Sequence, residues 1–398
     1  MSETETHTPP APGRAKPFFV ADAVYLLMVY AFFIALPPLG RDYATLARPD
    51  SVLFFGKLVA FFGSHAWAYL LINLVLLYGC MMLILILTRH LTKGPWWLGS
   101  VAAVLFMANP VKTEAVLNIS GIRELWPAFM ALLTLLVYIK CRQLESPTLR
   151  LLPLSVYLVA LLTGPINVML FAVIVVLEYT LFKHRSRCWM PIAFVGIIAL
   201  LMGGQAFMPN AFNLAAMFAP LFHILYPIGM LPDTVAFFQQ WPIVGYVLGA
   251  LAAVAGIWLL RKVNNPAFTF GILGAVAFRL CQGSFAVDPI TLAGGGQLML
   301  PAAFAAIAIA GLFAALLKEP HWRKSVVRFT TLLCVAAMCC QIWVNLHWRR
   351  AGQEVRQFQA DAVTTTQATP GEPVALVPNI QYYRTAPMML YESVKYRT

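Results

Sequence analysis

Charged side chains are scarce in this sequence: they make up 11% of its 398 residues, whereas hydrophobic types make up 60%. A soluble globular chain carries about 25% charged and roughly 45–50% apolar residues, so the composition excludes an ordinary soluble domain. It indicates an integral membrane protein with many spans. The first apolar run lacks a small-residue cleavage site after it, and we therefore expect a retained helix and not a signal peptide.

Metal-binding and disulfide patterns are also lacking. The seven cysteines are scattered, none forms a CxxC pair, and adjacent Cys339 and Cys340 are too close for an ordinary disulfide. Several cysteines, such as Cys80 and Cys334, lie inside apolar runs, which is typical of packing residues. The sequence therefore predicts no metal site built on cysteine or histidine.

The apolar runs predict an all-α fold, a polytopic membrane helix bundle of about eleven spans. The predicted spans are 18–37, 66–88, 96–108, 125–140, 151–164, 166–182, 190–207, 243–260, 267–281, 298–317 and 326–346. A further apolar segment, 211–232, is broken by three prolines and is predicted to be re-entrant or interfacial.

Lysine and arginine decide the predicted orientation. The net charge is +12, which would suggest nucleic acid in a soluble chain, but 16 of the 28 basic residues fall in alternate connections between spans. The positive-inside rule makes those connections cytoplasmic, so the N-terminus is cytoplasmic and no nucleic-acid partner is implied. The predicted location is a plasma (inner) membrane, with the functional loops on the periplasmic or extracytoplasmic side.

This orientation divides the chain into three predicted regions. Residues 1–17 form a disordered cytoplasmic tail, 18–346 form the transmembrane domain, and 347–398 form an external helical extension with a short tail. Within that tail, 374–379 could form one strand. The predicted external loops are 38–65, 109–124, 208–242 and 282–297.

The first external loop offers a carboxylate for chemistry. Asp42 follows Arg41 shortly after the first span, and a carboxylate in a cleft can accept a proton from a hydroxyl group or hold a metal ion. The alternative is a surface ion pair between Arg41 and Asp42. The few charged residues outside the basic cytoplasmic connections are functional candidates, because placing charge at membrane depth is costly in free energy.

The second external loop gathers four ionisable groups within thirteen positions. If a helix begins at Pro110, Glu114 and Asn118 share one of its faces. Lys112, Arg123 and Glu124 lie close by in sequence, and lysine and arginine on this surface suit a lipid-linked phosphate. The alternative is interfacial snorkelling with mutual ion pairing.

This second loop also resembles a known family pattern. "NPVKTEAVLNISGIRELWPAFMALLTL", 109–135, is similar to HPxHxEAVxxxxGRKDLLSAFFxLLAL of the O-mannosyltransferase-like membrane region, a GT-C class integral-membrane glycosyltransferase often fused to tetratricopeptide repeats. Further stretches resemble that region in the same order, namely 65–91, 160–181, 221–233, 298–309 and 348–361. The tetratricopeptide repeats do not appear in this sequence.

The resemblance implies a transferase that moves a sugar from a polyprenyl-phosphate carrier to a protein or glycan acceptor at the outer face of the membrane. It implies that Asp42 and Glu114 are the catalytic carboxylates, with a divalent cation (Mg or Mn) as a candidate cofactor. The substrate-binding residues that we expect are Arg41, Asn109, Lys112, Arg123, Glu124 and Gln297. The implied partners are a lipid-linked sugar, the acceptor, and membrane lipid.

Departures from the family pattern keep an alternative open. The two histidines of the family are Asn109 and Lys112 here, one of its basic positions is Ile122, and the lysine of its later motif is Gly164. These changes remove cations that would hold the carrier phosphate. The alternative is a catalytically silent relative that acts as a partner or scaffold in an envelope or surface-appendage complex. A transporter ranks last, because few spans carry charge and no inverted repeat is visible.

Overall fold

The computed structural model describes most of the apolar part of the chain. The described residues are 16–31, 55–63, 65–109, 112–144, 151–182, 189–207, 240–281, 298–368, 374–383 and 386–395. Residues 1–15 of the predicted N-terminal tail, the predicted re-entrant segment 211–232 and the predicted loop 282–297 lie outside these ranges, whereas Lys16 and Pro17 of that tail belong to the first helix.

Helices dominate the described ranges. They are α1 (Lys16–Tyr30), α2 (Phe55–Phe62), α3 (Ala66–Thr92), α4 (Trp96–Met107), α5 (Thr113–Leu117), α6 (Ile122–Leu144), α7 (Leu151–Thr163), α8 (Leu170–Leu181), α9 (Met190–Phe207), α10 (Pro242–Lys262), α11 (Pro266–Cys281), α12 (Met299–Leu316) and α13 (Arg323–Ala368). Short 3₁₀ turns cover Ile119–Gly121, Pro165–Met169 and Pro320–Trp322.

Each predicted span coincides with one of these helices, because a chain in hydrocarbon satisfies its backbone polar groups only by forming helices or closed barrels. Four stretches within the described residues are long and apolar enough to cross a membrane: Ala66–Thr92, Ile119–Gln143, Met299–Leu316 and Pro320–Gln357. The helical character of a membrane protein is therefore confirmed. The count of eleven crossings and their sidedness stay predictions.

The centre of the bundle is the alanine-rich helix α12, which is buried along most of its length. Its neighbour α11 approaches closely through glycine. A Cβ atom at Gly271 would lie 2.6 Å from the carbonyl oxygen of Phe304, and one at Gly311 would lie 2.8 Å from the carbonyl carbon of Ala267. Small residues let the two backbones meet, which is how helices associate in lipid, where the surrounding tails are as apolar as the side chains.

The outer surface of the bundle is apolar, as a lipid-facing surface should be. On α1, Val20, Val24 and Leu27 are exposed, whereas Leu26 and Val29 are buried in the core. The exposed positions recur at the spacing of one helix face. This helix therefore turns one apolar face to its surroundings and another to the bundle, in a pattern that soluble helices do not show.

The C-terminal part departs from the prediction of a single strand at 374–379. Helix α13 continues without a break to Ala368, and the chain then forms two antiparallel strands, β1 (Val374–Tyr383) and β2 (Ala386–Lys395). The ribbon lies beside α13. An isolated two-stranded ribbon is marginal in water, so contact with the helix contributes to its stability.

Candidate functional site

Hydrogen bonds of buried polar side chains gather several chain segments at one end of the bundle. Gln341 Nε2 donates to Thr113 Oγ1 at 2.9 Å, and Asn345 Nδ2 donates to the carbonyl of Val29 at 3.0 Å. The last turn of α1, the start of α5 and the middle of α13 therefore meet. We call this region, which also contains residues 109 and 112–124, the polar end.

The chain on both sides of the first predicted external loop lies at the polar end. Tyr69, near the start of α3, donates to the carbonyl of Gly63 at 2.8 Å and so holds the end of α2 beside α3. The last turn of α1 is held there as well. Arg41 and Asp42 fall between these two anchors in sequence but lie outside the described residues, as does Gln297.

The segment that carries Glu114 is held against the start of α3 by two hydrogen bonds from Asn73, a contact that we call the clasp. Asn73 is fully buried, and its Nδ2 donates to the carbonyls of Val116 at 3.2 Å and Asn118 at 2.7 Å. Gly121 makes the close approach possible, because a Cβ atom there would overlap the carbonyl oxygen of Ala115. A residue without a side chain is the only one that fits where backbone meets backbone.

One expectation about this segment is wrong. Helix α5 covers only Thr113–Leu117, and Asn118 has an extended backbone with φ −90° and ψ 147°. Glu114 and Asn118 therefore do not share a helix face. The clasp explains the change, because the carbonyls that Asn73 holds could not turn toward it if α5 continued into α6.

Lys112 is fully buried and binds backbone instead of projecting outward. Its ammonium group donates to the carbonyls of Met107 and Asn109, the latter at 2.7 Å, and lies 5.5 Å from the ring centroid of Phe106. It thereby caps the C-terminus of α4, where the helix dipole favours positive charge. Burial lowers the pKa of Lys112 well below its ordinary value of 10.5. The predicted phosphate-binding cation thus has a structural role.

Two carboxylates and one guanidinium lie near the start of α6. Glu114 is half-buried, and its charge acts on Glu124, which stands in the first turn of α6. Glu124 Oε2 is buried and has no hydrogen-bond partner among the described residues. Arg123 is half-buried and makes contacts of its own, as do Asn109 and Glu114. The carboxylates repel each other, and a cation or an acidic proton between them would relieve the repulsion.

Three buried amide side chains around this segment have carbonyl oxygens that accept no hydrogen bond from the described residues. Asn73 Oδ1, Asn118 Oδ1 and Gln341 Oε1 are all buried and lack hydrogen-bond partners in the part of the chain that the structure describes. Buried acceptors without partners are costly, so such atoms mark places where water or a ligand with hydroxyl groups can bind.

Sequence reasoning missed Thr113, Gln341 and Asn345. A signal existed for the last two, since they stand four residues apart in an apolar run and therefore on one face of a membrane helix. Asp22 is another buried carboxylate and lies on α1. Asp22 accepts a hydrogen bond from Ser100 Oγ.

Candidate metal ligands are few in the described ranges, where no group of three or more His, Cys, Asp or Glu side chains comes together. At the polar end, Glu114 and Glu124 are the described carboxylates that could contribute to a cation site.

Comparison with known proteins identifies no matching family model, no matching curated protein and no matching solved structure. The GT-C resemblance therefore stays a prediction from the sequence motifs.

Proposed function

We propose that this chain is a diverged membrane glycosyltransferase that moves a sugar from a polyprenyl-phosphate carrier to an acceptor hydroxyl at the outer face of the membrane. One observation supports it most: the flanks of the loop with Asp42 and the segment with Glu114, Arg123 and Glu124 meet at the same end of the bundle. The sequence placed both carboxylates on one side from the distribution of basic residues alone.

In the proposed reaction, the oxygen of the acceptor attacks the anomeric carbon of the sugar. Asp42 accepts the proton of that hydroxyl group, and the bond between the anomeric carbon and the phosphate oxygen breaks with its electron pair leaving on the phosphate. Arg123 stabilises the negative charge that develops there. A divalent cation, if bound by Glu114, Glu124 and Asp42, would supply further charge stabilisation.

The amide-rich surroundings suit a sugar donor. Sugar hydroxyls are hydrogen-bond donors, and the unpartnered oxygens of Asn73, Asn118 and Gln341 are acceptors. Lys112 contributes indirectly in this scheme, because it holds the C-terminal end of α4 from which the segment with Glu114 departs.

The experiment is a reconstituted assay of the full chain with polyprenyl-phosphate-linked hexoses, in which release of polyprenyl phosphate is measured. We expect turnover by the wild-type chain, and a loss on the order of 100-fold or more in Asp42→Asn and in Glu114→Gln without a change in melting temperature. Exposed Arg349→Gln is the matched control and should keep full activity. Equal rates in Asp42→Asn and in the wild-type chain would refute the proposal.

A second candidate function is that of a non-catalytic scaffold in an envelope complex. The engagement of Lys112 with two backbone carbonyls favours it, since this predicted cation is not directed to a phosphate. Crosslinking in native membranes followed by mass spectrometry tests it. A stoichiometric protein partner, together with full biological function of Asp42→Asn, would support the scaffold and exclude the transferase.

The outward position of the polar end is part of the proposal and has its own test. We expect a cysteine introduced at Arg349 to react with a membrane-impermeant thiol reagent in intact cells, and one at Lys140 to react only after permeabilisation, each compared with the parent chain. The reverse result would invert the topology.

A further inference from the structure

A cluster of basic residues lies at the end of the bundle opposite the polar end. Helix α6 begins at the polar end with Glu124 and reaches Arg142 eighteen positions later, which corresponds to roughly 27 Å at the rise of an α-helix. That length is close to the thickness of the hydrocarbon core of a bilayer. The C-terminal ends of α3 and α6, which pack against each other, therefore lie at the other membrane interface.

We name as the basic cleft the residues Arg89, His90 and Lys93 at the end of α3 together with Lys140 on α6. Both Lys140 and Arg89 lie within electrostatic range of the imidazole ring of His90, so cations from two helices converge. Trp96 borders the cleft, with the Arg89 guanidinium 5.6 Å from its ring centroid.

The positive charges of the basic cleft lack carboxylate partners among the described residues. The nearby Glu178 is already taken, because its Oε1 accepts hydrogen bonds from Arg142 Nε at 2.9 Å and from the hydroxyl of Tyr138. Arg89 donates to the backbone carbonyl of Gly94, which satisfies a hydrogen bond but brings no negative charge. Like charges held together in this way repel, and a bound anion would relieve the repulsion.

The backbone at Lys93 adds a second, independent observation. Lys93 has φ 51° and is the one non-glycine residue with positive φ in the described part of the chain. The left-handed conformation is unfavourable for an L-residue, whereas glycine adopts it freely. A lysine occupies this helix-ending position although Gly94 comes directly after it, and Lys93 is exposed there.

The chemistry of the partner follows from this location. The cleft is at a membrane interface, between the ends of two helices, and it combines three cations with a tryptophan ring. Basic pockets between membrane helices at this depth bind phosphate-containing lipid headgroups, because the phosphate is an anion that the bilayer itself supplies. Arginine and lysine both donate charge-assisted hydrogen bonds to phosphate oxygens.

We propose that the basic cleft binds the headgroup phosphate of an anionic phospholipid of the surrounding bilayer. The lipid would neutralise Arg89, Lys93 and Lys140 and fasten the end of α3 to the end of α6. This site is separate from the proposed sugar-transfer site, and its existence does not depend on that function.

The test uses native mass spectrometry of the detergent-solubilised full chain, titrated with phosphatidylglycerol. The double variant Lys93→Asn with Lys140→Gln removes two cations, and asparagine tolerates the left-handed backbone at position 93. At about 1 kcal/mol for each cation near a membrane surface, phosphatidylglycerol should bind on the order of 30-fold more weakly to this variant.

The matched control is Arg349→Gln with Arg350→Gln, which removes the same charge from two exposed positions on α13. It should bind phosphatidylglycerol as the wild-type chain does. Equal weakening in both double variants would show attraction by net charge alone and would overturn the proposal. Rescue of tight binding by Lys93→Asn with Lys140→Arg, relative to the double variant, would confirm that the charge at position 140 is responsible.

Two further arms identify the source of the phosphate. Phosphatidylcholine should bind far more weakly than phosphatidylglycerol, and millimolar inorganic phosphate should not displace phosphatidylglycerol. Displacement by inorganic phosphate would indicate a site for a soluble anion, and equal binding of both lipids would indicate an annular contact. Either result would overturn the assignment to an anionic lipid.

Discussion

Replacement of Gly121 by alanine tests whether the clasp at the polar end holds the segment with Glu114 in place. A Cβ atom at position 121 would lie 2.6 Å from the carbonyl carbon of Ala115 and closer still to its oxygen. Carbon atoms in contact prefer about 3.5–4.0 Å, so the carbonyl group of Ala115 would have to retreat by at least about 1 Å. The obstacle is backbone, which cannot turn away as a flexible side chain can.

The expected cost has two parts. Overpacking of a tight site costs about 1–3 kcal/mol. The retreat also stretches the two hydrogen bonds from Asn73 to the carbonyls of Val116 and Asn118, and each such bond between membrane helices contributes about 0.6–1.7 kcal/mol. We therefore expect Gly121→Ala to lower the free energy of unfolding by about 2–6 kcal/mol.

The control for this prediction is Gly256→Ala on α10. A Cβ atom there meets nothing within 4 Å, and alanine is the better helix former by about 0.5–1 kcal/mol. Thermal unfolding in detergent, followed by tryptophan fluorescence, should therefore show a large fall in melting temperature for Gly121→Ala and no fall for Gly256→Ala. Equal melting temperatures of Gly121→Ala and the wild-type chain would refute the close backbone approach.

Three more predictions concern buried charges. Lys112→Met should lower the free energy of unfolding by about 1–3 kcal/mol, because the carbonyls of Met107 and Asn109 lose their donor; a loss of activity with an unchanged melting temperature would instead indicate a phosphate ligand. Burial lowers the pKa of Lys112, so the unfolded chain binds more protons between that lowered value and 10.5, and stability should rise as the pH is raised through this window. Lys112→Met should lack this part of the slope when unfolding is measured from pH 7 to 10. Glu178→Ala should lower the free energy of unfolding by about 3 kcal/mol because Arg142 loses the carboxylate that accepts its hydrogen bond, and the double variant with Arg142→Met should recover stability; failure of the double variant to recover would contradict the pairing.

The positions of the helices could be predicted from hydropathy. The predicted spans 66–88 and 298–317 correspond to α3 (Ala66–Thr92) and α12 (Met299–Leu316), with differences of a few residues at their ends. This agreement has a physical basis, because a long apolar run cannot leave its peptide groups unpaired in hydrocarbon and the α-helix pairs them locally. The C-terminal ribbon was only half predicted, since pairing of β1 with β2 is not a local property.

The candidate site was predicted less completely. The sequence predicted that Glu114, Arg123 and Glu124 belong together, and in the structure the charge of Glu114 on α5 acts on Glu124 at the start of α6. It did not indicate that Lys112 would turn inward to cap α4, nor that Gln341 would reach Thr113 across more than two hundred positions. A charged residue in an apolar sequence is a candidate for a structural or functional role, but the sequence does not tell whether its side chain faces a substrate or a backbone carbonyl group.

The sequence by itself determined that this chain is a helical membrane protein and where its apolar helices lie. Those properties follow from the free energy of placing each residue type in lipid or water, which is additive along the chain. Only the tertiary structure decided three contacts. Gly121 lies against Ala115, Asn73 donates hydrogen bonds to the carbonyls of Val116 and Asn118, and the ammonium group of Lys112 donates to backbone carbonyls. Such contacts depend on how helices rotate and pack against one another, and hydropathy along the chain carries no information on that rotation.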